Sequence, residues 1–322
     1  MKTLITGGAG FIGHNVIKLL RDRDVDCYSI DSRTDYGFIP KEELAYLING
    51  RIGRSGHSPL MVDIRDTEKI KSHVGTFDIK CIVHLASFPR QKVVQTDPVT
   101  ASQVMVTGLI NLLQAAAIYK VRRFVYISSS MVYGNFESGV TENAICQPQG
   151  QYGIMKYMGE KLVEDYCKQN DIEFVILRPS AVYGEWDVDD RVVSKFALAA
   201  LRDTELIVKG AAEQLDFTHV DDTAKGIVQA VLSKDSANSI YNITRSNPNT
   251  ITLGQAAKLM TDIVGKGTVK FVDRDMSFPS RGRLNITRAQ QAFDFKPTID
   301  VVEGFERYVD WLQSSTYWKN KL

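Results

Sequence analysis

The chain has no marked excess of charge of either sign. Its 39 lysines and arginines nearly balance 38 aspartates and glutamates, which leaves a formal net charge of +1. Proteins that bind nucleic acid or an anionic membrane through their overall field carry a clear basic excess. We therefore expect neither nucleic acid nor a membrane as a partner, and local donors must bind any anionic ligand.

Cysteine is scarce, and the four that are present form no recognisable site. Cys27, Cys81, Cys146 and Cys167 contain no CxxC pair, and no group of His and Cys has the spacing of zinc ligands. Cys27 and Cys81 lie within apolar runs that are typical of strands. This pattern favours reduced, buried thiols in a cytoplasmic protein, without a bound metal.

Long apolar runs are also missing. No apolar stretch approaches the length that is needed to span a bilayer. The first predicted strand starts at Lys2, which leaves no room for a signal peptide. The 322 residues are 44% hydrophobic, so the chain can bury a large core without disulfides or metals. We expect a globular protein of the cytoplasm.

Short apolar runs alternate with helical patterns, which is typical of a parallel sheet covered by helices. The strand runs show no polar alternation, as expected for strands buried on both faces. Strands are predicted at residues 2–6, 27–31, 60–62, 81–86, 124–128, 174–178 and 239–243. Helices are predicted at residues 15–21, 104–117, 152–169, 194–201, 221–232, 252–264 and 301–312. We predict an α/β fold with a Rossmann-type, doubly wound parallel sheet and a smaller C-terminal α/β part.

The first predicted strand runs into a glycine-rich turn, and a helix follows it. Glycines allow a tight turn and a close approach of the backbone to a pyrophosphate. The start of the helix then offers free N–H groups and the positive end of the helix dipole. The strand–turn–helix context makes this a dinucleotide-binding motif. The predicted contacts are Gly7, Gly10, Phe11, Ile12 and Gly13.

The second predicted strand ends at Asp31, where a carboxylate can accept both ribose hydroxyls of an adenosine. The same carboxylate repels a 2′-phosphate and so favours NAD, although Arg33 could pair with such a phosphate and accommodate NADP. Asp63 and Ile64 follow the third strand and are predicted to flank the adenine. The connection 32–59 contains a short predicted helix at 41–48, and its role stays open.

Tyr152 and Lys156 are four residues apart on a predicted helix, so both side chains lie on one face. A free tyrosine has a pKa of about 10, and a nearby cation favours the phenolate. Ser128, Ser129 and Ser130 follow the fifth strand, at the sheet edge where such folds bind ligands. Together these residues predict acid–base chemistry on a substrate hydroxyl next to the nicotinamide.

With these residues in hand, the chain resembles the extended short-chain dehydrogenase/reductases, and among them the NAD-dependent sugar epimerase/dehydratase family. The resemblance covers nearly the whole length. It rests on residues 7–13 (GGAGFIG), Asp31, Asp63-Ile64, His84-Leu85-Ala86, residues 128–134 (SSSMVYG), Tyr152 with Lys156, residues 177–179 with 182–184, and residues 216–222.

The resemblance implies a role for each matching residue. Ser129 would be the catalytic hydroxyl, Tyr152 the acid–base group, and Lys156 its partner and a ligand of the nicotinamide ribose. Further contacts to the cofactor would come from Ser32, Arg33, Leu85, Ala86, Ser87, Ser128, Pro179 and Val182. Contacts to the substrate would come from Arg90, Ser129, Ser130, Met131, Tyr152, Ala181, Arg191, Lys195 and Arg281.

The residues after Ser129 bear on the reaction. Sugar dehydratases of the family carry an Asp-Glu pair there, because removing water needs an extra acid and base. This chain has Ser130 and Met131 instead. The resemblance therefore implies an epimerase that acts on a nucleotide-diphosphate sugar through a 4-keto intermediate, with a UDP-hexose or UDP-hexuronate favoured. An NAD(P)-dependent dehydrogenase or 4-ketoreductase is the alternative, and a non-catalytic dinucleotide sensor is a third reading.

Several positions depart from the epimerase pattern. Ala181 stands where the family usually has an asparagine that grips the diphosphate sugar, and Leu215 replaces an arginine. Arg90 or Lys92 could serve as an anion clamp instead, or could be a solvated loop charge. Arg281, with Arg283 nearby, lies where the family places a diphosphate-binding arginine.

The resemblance also implies a division of the chain and a homodimer. Residues 1–180, with 220–243 returning to the sheet, would bind NAD, while 181–219 and 244–322 would bind the substrate. The helices at 104–117 and 152–169 would pair with those of a second copy as a four-helix bundle. An apolar stripe of Ile110, Leu113 and Ala117 motivates this expectation.

Overall fold

A parallel sheet forms the centre of the computed structural model, which describes residues 1–248 and 250–322. The strands are β1 (Thr3–Thr6), β2 (Cys27–Asp31), β3 (Leu60–Met61), β4 (Cys81–His84), β5 (Arg123–Ile127), β6 (Glu173–Pro179), β7 (Val182–Tyr183), β8 (Glu205–Lys209), β9 (Thr218–His219), β10 (Ser239–Ile243) and β11 (Thr268–Val272). The seven predicted strands correspond to β1–β6 and β10, with shifts of only one or two residues at their ends.

Helices cover both faces of this sheet and build the C-terminal part. They are α1 (Gly13–Arg21), α2 (Lys41–Ser55), α3 (Thr67–Thr76), α4 (Gln91–Thr96), α5 (Pro98–Ser102), α6 (Gly108–Ile118), α7 (Gly150–Gln169), α8 (Val192–Leu201), α9 (Val220–Leu232), α10 (Leu253–Val264), α11 (Thr287–Phe293) and α12 (Val301–Ser314). A π-helical turn, Gln103–Thr107, joins α5 to α6, and a 3-10 turn, Ser130–Tyr133, follows β5.

The central sheet has seven strands in the order β10-β6-β5-β4-β1-β2-β3, and every neighbouring pair is parallel. The order reverses between β1 and β4, and sheets of this kind bind ligands in the crevice at such a switch point. The predicted doubly wound, Rossmann-type α/β fold is confirmed.

Two apolar layers flank the sheet and explain why the strands lack polar alternation. On one face, Ile70, Leu112 and Val163 come from α3, α6 and α7. On the other face, Ile17 and Ile227 come from α1 and α9. At about 25 cal/mol per Å² of apolar surface removed from water, such layers supply most of the stabilisation of the sheet.

The remaining elements form a third core. The pairs β11–β8 and β7–β9 make two small parallel sheets, and α8, α10 and α12 pack around them. The strands of these small sheets were not predicted from the sequence, because β7 and β9 have only two residues each and β8 alternates exposed and buried positions.

The helix in the connection 32–59 is longer than predicted. It was expected at residues 41–48, but α2 continues to Ser55 and ends at Gly56, which takes a left-handed conformation. Gly50 looked like a helix end, yet a Cβ at this position would overlap the ring of Trp186. The close packing of α2 on Trp186 therefore explains why position 50 is a glycine.

The prediction about apolar runs needs correction. The continuous helical stretch Pro98–Ile118 has 21 residues and is long and apolar enough to cross a membrane, and half of it is buried inside the molecule. It was overlooked because it combines α5, the π-helical turn and α6.

Leu113, predicted on an outer stripe, instead lies fully buried in the core against the sheet. The exposed apolar residues on α5, α6 and α7 are Val99, Ile118, Ile154 and Met158.

The cysteines are unpaired thiols, and burial raises the pKa of Cys27 to about 11 and that of Cys81 to about 12. Within residues 1–248 and 250–322, no group of three His, Cys, Asp or Glu side chains is placed to hold a metal ion.

Candidate active site

The glycine-rich turn lies between the end of β1 and the start of α1, at the switch point of the sheet. Gly7 has a φ of +75°, and a Cβ there would lie 2.8 Å from the backbone nitrogen of Ala86. A Cβ on Gly13 would collide with the carbonyl oxygen of Gly7. No side chain caps the start of α1 at Ile12. The turn is therefore a backbone cradle with a free helix start, which is what a diphosphate requires.

Asp31 at the end of β2 lies against this turn. Its Oδ2 accepts a hydrogen bond from the Ala9 N–H at 2.9 Å, and its Oδ1 accepts one from the Arg33 N–H at 2.7 Å. The guanidinium of Arg33 donates from Nη2 to the carbonyl of Pro59 at 3.1 Å. Because this guanidinium is held by Pro59, the arrangement favours the ribose of NAD over the phosphate of NADP. Ser32 beside them is exposed.

Asp63 and Ile64 occupy different environments. Asp63 forms a 2.6 Å ion pair with Arg65, whose hydrogen bond is the main cause of the lowered Asp63 pKa. Ile64 packs in the core, and a Cβ on Gly108 of α6 would lie 2.6 Å from its side chain. The Ile64 side chain therefore fills the space that Gly108 leaves open, and the contact of Asp63 and Ile64 with an adenine stays a prediction.

The loop after β4 closes the other side of the turn. Ala86 donates its N–H to the Thr6 hydroxyl at 3.1 Å, and the same hydroxyl bonds to Nδ1 of His84 at 2.7 Å. Leu85, Ala86 and Ser87 in this loop are only partly buried.

Tyr152, Lys156 and Ser129 are close together at the carboxyl edge of the sheet. The Lys156 ammonium lies 5.9 Å from the centre of the Tyr152 ring, and it donates to the carbonyl of Ile127 at 2.8 Å. The Tyr152 N–H donates to the side chain of Gln91 at 3.1 Å, which fixes the start of α7. The predicted arrangement on one helix face is therefore present.

The pKa shifts of Tyr152 and Lys156 differ from the expectation that a nearby lysine alone favours the phenolate. Burial raises the pKa of Tyr152, while the charge of Arg191 and a hydrogen bond from Ser129 oppose that rise. Burial also lowers the pKa of Lys156 to about 7. Arg191, predicted only as a substrate contact, therefore also favours the Tyr152 phenolate through its charge.

A buried ion pair supports the site from below. Ser128 donates its hydroxyl to Glu160 at 2.5 Å, and Glu160 accepts two bonds from Arg178 at 2.8 and 2.6 Å. Glu160 and Arg178 are almost completely buried. Ser128 was predicted to contact the cofactor; its hydroxyl proton is used in this network, and the contact with the cofactor stays a prediction.

Comparison with known proteins agrees with this geometry. The model of the NAD dependent epimerase/dehydratase family matches residues 3–244, which is more than half of the chain. The chain belongs to this family.

Individual members of the family are similar over almost the whole chain. The uncharacterized UDP-glucose epimerase YtcB of Bacillus subtilis is 28% identical over 323 residues, covering 98% of both proteins. UDP-glucuronate 4-epimerase 5 of Arabidopsis thaliana is 26% identical, covering 97% of this chain and 75% of that protein. The crystal structure of UDP-glucuronic acid 4-epimerase from Bacillus cereus, in complex with UDP-glucuronic acid and NAD, has a TM-score of 0.88 at 28% identity. That comparison covers 97% of this chain and 98% of the other.

Three basic residues predicted to contact the substrate are already paired. Arg90 forms a 2.6 Å ion pair with Asp190 and also donates to its carbonyl at 2.8 Å. Lys195 contacts the same carboxylate. Arg191 lies 3.8 Å from Asp187. Arg90 is therefore not a solvated loop charge, because its side chain is only 14% exposed and paired with Asp190, and its role as an anion clamp stays a prediction.

Other predicted substrate contacts lie around the 3-10 turn and the end of β6. Ser130 donates to the Ser180 hydroxyl at 3.0 Å, and Met131 is buried. Ala181 has a φ of +41°, a left-handed conformation that asparagine adopts more readily than alanine. Pro179 is buried and Val182 is partly buried at the same edge.

Arg281 differs from the other cations of the site. Its Nε is buried without a hydrogen-bond partner among the residues that the structure describes. Burial lowers its pKa to about 10, and the nearest opposing influence is the charge of Glu213. A partly buried guanidinium whose Nε has no partner among the described residues suits an anionic ligand.

Sequence reasoning missed three positioning residues. Gln91, Glu160 and Arg178 hold the catalytic helix and the strand ends, yet no role was assigned to them, although Arg178 lies in the matching segment 177–179. Their signal is a charged pair, Glu160 and Arg178, placed inside otherwise apolar periodic runs.

Proposed function

We propose that this protein is an NAD-dependent epimerase that inverts C4 of a UDP-linked hexose or hexuronate. The observation that carries the proposal is the placement of Tyr152 and Lys156 on one face of α7, at the end of β5 that leads into Ser129, beside a dinucleotide cradle. Family membership and the similarity to proteins named UDP-glucose and UDP-glucuronate 4-epimerases support it.

The cradle fits a dinucleotide. Gly7 and Gly13 leave room that a Cβ would fill, and Asp31 is placed for a ribose. We assign the diphosphate to the backbone of residues 10–13 and the nicotinamide ribose to Tyr152 and Lys156. Bound NAD supplies the oxidising chemistry by accepting a hydride from C4 and giving it back.

In the proposed reaction, the phenolate of Tyr152 takes the proton of the C4 hydroxyl, and the phenol formed in this way later returns it. Ser129 donates a hydrogen bond that favours the phenolate, and Arg191 adds positive charge. These two effects oppose the burial that raises the Tyr152 pKa. A positioned general base of this kind contributes about 10²–10⁴-fold in rate.

The neighbouring residues argue against dehydration. Ser130 is bonded to Ser180, and Met131 is buried and apolar. Neither can act as the extra acid or base that removal of water needs. Met131 instead offers an adaptable apolar wall against which a keto sugar can turn.

We assign the substrate diphosphate to Arg281. This assignment supports a division of the chain into a part that binds NAD and a part that binds the UDP-sugar. Residues 1–180 with 220–243 would bind NAD, and residues 181–219 with 244–322 would bind the UDP-sugar. The exposed apolar residues of α5, α6 and α7 support a homodimer through a four-helix bundle. We also propose a cytoplasmic location, where UDP-sugars would be at hand.

A panel of UDP-, GDP-, CDP- and dTDP-sugars tests the function. The purified protein, with no added cofactor, is expected to convert UDP-glucose or UDP-glucuronic acid into its C4 epimer, separated by chromatography. Denaturation is expected to release NAD. A requirement for added NADH or NADPH at each turnover would favour the reductase alternative, and no conversion of any sugar would exclude the epimerase.

A further inference from the structure

Helix α2 places an arginine against the dinucleotide cradle from a segment whose role the sequence left open. Glu43, Leu47, Arg51 and Ser55 follow one another at four-residue intervals and form the buried face of α2. Residues four apart share a helix face. Arg51 is only 5% exposed, so its charge has been taken out of water.

The guanidinium of Arg51 joins two parts of the molecule. It donates from Nη1 to the carbonyl of Ala9 in the glycine turn at 3.3 Å. It also donates from Nε and Nη2 to the carbonyl of Trp186, at 3.0 and 2.6 Å. Trp186 belongs to the loop 185–191, which also carries Asp187 and Arg191. Arg51 therefore holds this loop against the phosphate cradle.

These partners give each nitrogen of the Arg51 guanidinium one hydrogen bond. They are carbonyl groups, so they leave its charge without a direct counter-ion. In the part of the chain that the structure describes, no carboxylate oxygen lies within 4.0 Å of its nitrogens. Asp187 and Asp31 act on it only from a longer distance. Burial of a charge is costly unless an opposite charge compensates it. A dinucleotide diphosphate on the adjacent turn would bring two negative charges to this position.

We infer that Arg51 is a positioning residue of the cofactor site. It fixes the loop 185–191, and with it Arg191 near Tyr152, and its charge is neutralised by the diphosphate of NAD. This inference rests on the proposed function, since it requires that the glycine turn binds NAD. It gives the connection 32–59 a role in coupling cofactor binding to the geometry of the active site.

The test compares Arg51→Met and Arg51→Lys with wild type. Arg54→Met is the matched control, because Arg54 lies on the same helix, is partly exposed and contacts Asn15 and Asp221 instead. The measurements are NAD affinity of the NAD-free protein at low and high salt, Tm with and without NAD, and kcat and KM for the UDP-sugar.

We expect Arg51→Met to weaken NAD binding about tenfold or more, with a smaller dependence on salt and a smaller rise of Tm on adding NAD. Arg51→Lys should recover most of the NAD affinity because it keeps the charge. It should also raise KM for the sugar, because it cannot make the forked contact to Trp186. Arg54→Met should match wild type.

An Arg51→Met protein that is less stable but binds NAD as wild type does would overturn the inference, because the role would then be structural only. If that variant does not fold, Arg51→Lys decides, and unchanged NAD affinity together with unchanged KM contradicts the inference. Wild-type protein that neither holds NAD nor converts a UDP-sugar would instead refute the proposed function.

Discussion

At the scale of single residues, the site depends on a phenol whose ionisation is opposed by burial. A hydrogen bond from Ser129 and the charge of Arg191 oppose the effect of burial on the Tyr152 pKa, and burial lowers the pKa of Lys156 to about 7. The sequence predicted Tyr152, Lys156 and Ser129 correctly as neighbours, since their spacing follows from one helix and one strand end. It could not predict the influence of Arg191, which depends on a loop 39 positions further along the chain.

Removing the phenol tests its role directly. Tyr152→Phe is expected to keep bound NAD but to lower kcat by about a hundredfold or more, because the proton transfer loses its base. Tyr157→Phe on the same helix is the control and should keep kcat. Steady-state rates with a UDP-sugar and the NAD content of each protein give the answer. A Tyr152→Phe rate close to that of wild type would remove this residue from the mechanism.

A second residue-scale prediction concerns a buried acid on α2. Burial, together with the charge of Asp189, raises the pKa of Glu43 to about 7, while its Oε1 accepts the Asp189 N–H at 3.1 Å. The folded protein thus holds a proton that the unfolded chain releases near pH 4.5, so stability falls as pH rises from about 4.5 to 7. A glutamine at position 43 imitates the protonated glutamic acid and does not ionise. It therefore removes this loss of stability.

We therefore expect Glu43→Gln to raise Tm relative to wild type at pH 8, with little change at pH 5. The exposed neighbour provides the control, and Glu42→Gln should leave Tm unchanged at both values. Thermal unfolding followed by circular dichroism across this pH range measures the effect. An equal Tm difference at pH 5 and pH 8 would contradict the assigned titration.

At the scale of elements, the sequence predicted the central strands and the catalytic helix almost to the residue. Continuous apolar runs identify the strands that are buried on both faces, such as β1, β4 and β5, whereas the edge strand β3 is exposed. The length of α2 was missed because Gly50 and Gly53 resemble helix ends. Only the tertiary contact with Trp186 distinguishes the two glycines.

This contact gives a matched pair of substitutions in one helix. Alanine has a better helix propensity than glycine by about 1 kcal/mol. Gly53 has open space around it, so Gly53→Ala should raise the free energy of unfolding by up to about that amount. Gly50→Ala should lower it, because a Cβ would overlap the Trp186 ring. Denaturant unfolding measures both, and stabilisation by Gly50→Ala would show that α2 does not pack on Trp186 as described.

At the scale of the whole molecule, the exposed apolar residues on α5, α6 and α7 form the surface for the proposed homodimer. The predicted stripe was partly wrong, because Leu113 is buried in the core. On α7, outside that stripe, Met158 is 45% exposed. Sedimentation should show a dimer, because burying such side chains is favourable. Met158→Lys should shift it toward monomer, whereas Ile145→Lys, at an 82% exposed position outside the helices, should not. A monomeric wild type would contradict the proposed dimer.

The central claim is that C4 of the sugar loses and regains the same hydride within one active site. The most direct measurement uses a UDP-sugar with deuterium at C4, incubated in ordinary water with the purified protein and no added cofactor. We predict a C4 epimer that retains its deuterium at C4 by mass spectrometry and NMR. An epimer that has exchanged this deuterium for solvent hydrogen would contradict the account.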